Sequence, residues 1–145
     1  MLDDSAAEAL RQESNDQRSF KVPIISASDA TKFELPNVTF MGLASPQRGS
    51  KENSVWRLTI APKAPGLPHQ LTREEIIIVL SGSAIAEIGR ERHRLSEGDA
   101  IIVPAKTDFS LSNDSEEAFE ALAVLPVGGQ AIIGNDAPFT PPWAI

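Results

Sequence analysis

Cysteine is missing from this chain altogether, and with it go disulfides, thiolate metal ligands and thiol nucleophiles. A chain without thiols suits a reducing compartment, so a cytoplasmic protein is expected. Positive charge is scarce as well: 13 Lys and Arg stand against 20 Asp and Glu, for a formal net charge of -7 and a pI near 4.8. Phosphate backbones are held by clustered cations, so no nucleic-acid-binding surface is expected. Long apolar runs are lacking too. The longest aliphatic stretches, IIIVL at 76–80 and AIIVPA at 100–105, fall far short of the roughly 20 residues that cross a bilayer. The first residues carry neither the basic flank nor the apolar stretch of a signal peptide, and no membrane association is expected. Two histidines, His69 and His93, and no G-x-S-x-G turn leave no assembled nucleophile and base for a hydrolase.

What is present is a single domain's worth of short apolar runs. A chain of 145 residues buries roughly two-thirds of the surface its unfolded form exposes and needs no crosslink to fold. Residues 1–20 are polar and acidic, with only SAAEALR resembling a helix, where Ser5 and Glu8 stand at capping-box spacing. They read as an extension that is disordered until something docks it. Strand-like runs follow: KVPII, NVTFMGLA, NSVWRLTIAP, EEIIIVLSG, SAIAEIG, RHRLSEGDAIIVP, TDFSLSN and AFEALAVLP. Runs of this length between turn residues predict an antiparallel sandwich or barrel over 21–134. SEGD is a glycine turn and IGRER a hairpin tip. The segment 135–145 is a proline-rich tail that cannot join a central strand, though Phe139 and Trp143 give it apolar anchors against its own barrel.

The segment PHQLTREEIIIVLSG, residues 68–82, joins one histidine and two glutamates to an aliphatic run that ends in glycine. Here the chain resembles the cupin family, whose first motif reads G-x5-H-x-H-x3-E-x6-G. The matching positions are Lys63, His69, Leu71, Glu75 and Gly82. The second motif of that family, G-x5-P-x-G-x2-H-x3-N, falls on Gly98, Pro104, Lys106, Phe109 and Asn113, with 15 residues separating Gly82 from Gly98. Six of the ten positions carry the family's residue, in order. The resemblance implies an all-β fold, the cupin-type double-stranded β-helix, an antiparallel jelly-roll barrel.

The same resemblance makes His69, Leu71, Glu75 and Phe109 the four positions where metal-binding cupins place three histidines and a glutamate to hold Fe, Mn, Zn or Ni. Neither an isobutyl nor a phenyl group offers a donor atom, and two protein ligands bind a divalent ion weakly. No metal cofactor is therefore expected, with His69 and Glu75 as the ligands if one binds. Strand alternation turns Gln70 away from the face of His69 and Leu71, and Asp108 away from that of Phe109. His69 and Glu75 fit either an internal hydrogen-bonded pair or the polar end of a small-molecule pocket lined by Leu71, Phe109 and Ile77. Arg57 joins that pocket if it faces inward, where it would pair with Glu75 or hold an anion. Parity fixes only that it lies opposite Trp56, Leu58 and Ile60. His93, between two arginines, reads as a surface residue.

The favoured reading is a cupin that holds a small organic ligand in a degenerate metal site. The alternatives are a metal-dependent oxygenase or isomerase with an atypical ligand set, and a metal-free interaction module. The absence of tyrosine removes the acid that cupin-like sugar-nucleotide epimerases employ. Both faces of the IIIVL strand are apolar, which predicts that its outer face is covered in a homodimer.

Overall fold

The computed structural model describes residues 3–9 and 22–145, so most of what the sequence suggests for residues 1–20 lies outside the described residues. Within 3–9, the helical stretch 4–9 is capped by Asp3, whose carboxylate accepts from the Ala6 N–H at 2.7 Å, rather than by Ser5, which lies inside it.

Eleven strands follow: β1 Thr31–Leu35, β2 Val38–Ala44, β3 Asn53–Ile60, β4 Gln70–Leu71, β5 Glu75–Ser81, β6 Ala84–Ile88, β7 Glu91–Leu95, β8 Ala100–Val103, β9 Phe109–Ser112, β10 Phe119–Pro126 and β11 Ala131–Ile132. Every pairing is antiparallel. One wall is a six-stranded sheet in the order β1-β2-β3-β10-β5-β8. The other is built from β7-β6-β9 and β11-β4, which an isolated bridge between His69 and Phe109 brings together. This is an all-β antiparallel barrel, as the pattern of runs requires.

Alternation decides what each strand buries. Trp56, Leu58 and Ile60 of β3 point into the core, as do Phe119, Ala121, Ala123 and Leu125 of β10. The alanines opposite bulky neighbours let the two walls interdigitate at close-packed density. The expected turns form: Gly89, with φ 58°, takes the first central position of the β6–β7 hairpin, as type II′ turns require. Gly98, with φ 87°, makes the turn whose ends are tied by Asp99 N–H to the Ser96 carbonyl at 3.0 Å.

Two assignments differ from the sequence reading. Residues 22–25, the described part of KVPII, are not a strand. Their proline has no N–H to give a ladder, and Val22 and Ile24 stand exposed. The first strand is instead TKFEL, whose charged residues face outward at the sheet edge while Phe33 meets Trp143 edge-on at 6.1 Å.

The tail packs onto the barrel through Trp143, which stacks on Phe40 with centroids 3.7 Å apart and planes 3° from parallel. The buried Ser54 hydroxyl donates to the Ala144 carbonyl at 2.9 Å. Phe139 contributes its backbone, bridging Ala131, and leaves its ring exposed. Asn113, 1% exposed, closes the corner between the walls. Its amide nitrogen lies 2.7–3.3 Å from the carbonyls of Ile60, Ala61 and Glu117, while its Oδ1 accepts from the Ser115 N–H and hydroxyl.

Candidate functional site

His69 leaves the proline-bounded loop 62–68 and enters β4 beside β9. Its N–H and carbonyl exchange 2.9 Å hydrogen bonds with those of Phe109, so the two side chains share a face. The rings meet edge to face at 5.6 Å. Nδ1 lies 2.9 Å from the Leu67 carbonyl, an acceptor only, so the neutral ring carries its proton on Nδ1 and leaves Nε2 as an acceptor.

Glu75 opens β5, opposite Val103 of β8, and is 5% exposed. Leu71, Ile77, Val103 and Phe109 belong to the same apolar core. Burial, with no charge or hydrogen bond opposing it, pushes the Glu75 carboxyl up from 4.5 to about 8. At neutral pH it is an uncharged acid and a hydrogen-bond donor. It is not paired with His69, whose ring is bonded to Leu67 instead.

The structure thus turns Leu71, Glu75, Ile77 and Phe109 inward and sets half-buried His69 at their margin. Arg57 is not with them. It is exposed on the outer face of β3, beside Leu122 and Met41 on the neighbouring strands, because Trp56 and Leu58 take the inner face. His93 is exposed and faces Glu91 at 3.1 Å.

Of the four positions that hold a metal in metal-binding cupins, two present only carbon. Among the described residues no three His, Cys, Asp or Glu side chains converge on a point where an ion would sit. These residues do not fit a resident divalent metal, since a stable site takes three or four donors.

A cavity of about 380 Å³ opens beside the His69–Phe109 bridge, lined among others by Gln70, Glu87, Asp108 and Ser110. Leu71, Glu75 and Ile77 are not in its wall. Alternation alone set Gln70 and Asp108 apart from the inward residues. That Glu87 and Ser110 join them follows from the pairing of β6 with β9, which no local signal in the sequence announces.

An antiparallel barrel with the two motifs on β4–β5 and β8–β9 defines a small jelly-roll protein of the cupin type. The family described as "Cupin domain" matches residues 56–125, and this stretch is a domain of the cupin superfamily. Solved structures agree on the fold. The polyketide cyclase RemF from Streptomyces resistomycificus superposes with a TM-score of 0.70 at 16% identity, over 81% of this chain and 88% of that one. A sugar phosphate isomerase of the cupin superfamily from Silicibacter pomeroyi gives a TM-score of 0.63 at 14% identity, over 79% and 83%. The 7S globulin of Momordica charantia gives 0.68 at 18% identity, and this chain spans 39% of its length. Such distant likeness speaks for the fold alone. The sequence matches no curated protein.

Proposed function

We propose that the chain is a small-molecule-binding cupin whose metal site is degenerate, and that it holds a small oxygen-bearing organic ligand at the His69 end of the barrel interior. Glu75 carries this reading. A carboxyl buried among Leu71, Ile77 and Val103, with nothing opposing its desolvation, is a costly group to keep. A ligand that accepts its proton in a hydrogen bond repays that cost, and His69, an acceptor at Nε2, complements a ligand hydroxyl.

A thermal-shift screen of neutral carbonyl and hydroxyl compounds tests the proposal, paired with metal analysis of protein lacking a histidine tag. Ligands that raise the melting temperature of the native chain and not of Glu75→Leu, which removes the donor, support it. Stoichiometric Fe, Mn, Zn or Ni in the purified protein would replace it with the metalloenzyme reading. No hit and no metal would leave an interaction module.

The assembly that accompanies this function is a homodimer joined through the outer face of the six-stranded sheet. Ile78 and Ile102, 39% and 60% exposed, continue there into the half-buried Ile76, Leu122 and Val124. A cytoplasmic location fits the absence of cysteine. No helix among the described residues is long and apolar enough to cross a membrane.

A further inference from the structure

The groove of about 380 Å³ opens at the smaller wall, and its lining includes the His69–Phe109 pair as well as Gln70, Glu87, Asp108 and Ser110. Leu71 and Phe109 point inward, so their neighbours Gln70, Asp108 and Ser110 turn to the opposite face, where Ser110 is nonetheless buried, and Glu87, paired in register with Ser110, shares that face. Acceptors dominate this face. The Gln70 Nε2 donates to Asp108 Oδ1 at 2.8 Å. That bond orients both groups and leaves Oε1 of Gln70 and Oδ2 of Asp108 without a partner among the described residues. Ser110 lines the groove at 8% exposure, and its hydroxyl likewise bonds to no other described residue. Among the described residues Glu87 is held only by an exposed contact to Arg92 at 3.5 Å, which yields at little cost.

Spacing selects the ligand. Asp108 stands two residues before Ser110, just ahead of β9, and so lies diagonally across from Glu87, a placement that separates Cα atoms by roughly 7–8 Å and Cβ atoms by somewhat less. A bare cation here would meet two side-chain carboxylates and no third acidic, His or Cys donor among the described residues, short of the three or four donors a stable metal site takes. A short organic cation with N–H groups at both ends reaches both, and the volume is that of a small-molecule site. We propose that this groove is a second binding site, distinct from the Glu75 end of the barrel interior although the His69–Phe109 pair borders both, that takes an alkyl diamine or a guanidinium-bearing amine between Asp108 and Glu87. Ser110 and the Gln70 carbonyl oxygen accept its remaining hydrogens, and the net charge of -7 favours its approach.

Calorimetric titration of the full chain with cadaverine and with agmatine tests this, with an alkane diol of cadaverine's length as the uncharged control. Saturable binding is expected for at least one amine and none for the diol. Asp108→Asn and Glu87→Gln are each expected to weaken binding about tenfold, the size of one charge-assisted hydrogen bond. Glu97→Gln, which removes the same charge from the exposed turn before β8, is expected to leave it unchanged, as is Glu75→Gln. Failure of both amines to bind in the millimolar range overturns the proposal. So does equal binding of the diol, or a loss with Glu97→Gln that matches the loss with Asp108→Asn.

Discussion

His69 and Phe109 form one backbone pair: each N–H donates to the other's carbonyl at 2.9 Å, and the imidazole edge meets the phenyl ring at 5.6 Å. Two of the cupin ligand positions are therefore still neighbours in space, although only one of them offers a nitrogen. If the backbone has kept the geometry of a metal site, chemistry alone disables it. Leu71→His with Phe109→His should then create three imidazoles beside Glu75. Titration with Zn, Ni or Mn is expected to show affinity at least about tenfold above that of the native chain. Equal affinity would mean that any metal binds elsewhere.

Glu75 makes stability depend on pH in a stated direction. Its carboxyl titrates at about 8 in the folded chain and near 4.5 when exposed, so the folded state holds the extra proton between those values. Stability contributed by the neutral acid is complete below about 4.5 and is lost as pH rises toward 8. Urea unfolding at the two ends of this window should show a loss of a few kcal/mol in the native chain. Glu75→Gln should flatten that dependence and be the more stable form at the alkaline end. A native profile that rises or stays level across the window would contradict the burial argument.

Trp143 ties the tail to the barrel. Replacing it with alanine removes a ring stacked on Phe40 and in edge contact with Phe33 and Trp56. A loss of about 3 kcal/mol is expected in denaturant unfolding, the low end for a large aromatic because Trp143 is only partly buried. Its indole N–H, buried without a partner among the described residues, limits the penalty further.

Dimerisation through the outer sheet face is checked by sedimentation at micromolar concentration. The native chain is expected to sediment as a dimer and Ile78→Lys as a monomer, because a charge at the centre of an apolar contact is not desolvated without cost. A native monomer would refute the interface.

Periodicity carried most of the fold and part of the site. NSVWRLTIAP and AFEALAVLP alternate so regularly that β3 and β10, with their inward residues, were readable directly. TKFEL was not, because an edge strand is stabilised by its partner and carries charge on its outer face. KVPII misled for the opposite reason, being aliphatic yet broken by proline. Motif spacing singled out His69, Leu71, Glu75 and Phe109; His69 stands at an isolated bridge just before β4, and the other three lie in β4, β5 and β9. Spacing said nothing of whether His69 would meet Glu75 or the Leu67 carbonyl, since that depends on a ring torsion within the loop. Arg57 illustrates the limit of parity: Trp56 and Leu58 fix its face as the opposite of theirs, and only the assembled sheet shows that face to be the outside.

Asn113 has a consequence for motion. One amide spans three passes of the chain, the end of β3 at Ile60 and Ala61, the start of β9's exit loop at Ser115, and the approach to β10 at Glu117. Loops of this kind ordinarily exchange their amide hydrogens with solvent in seconds, but the Ser115 N–H is released only when the Asn113 carboxamide swings away from all three. Deuterium uptake at Ser115 then follows the opening of the barrel corner, which makes that single amide a reporter of how often the two walls part.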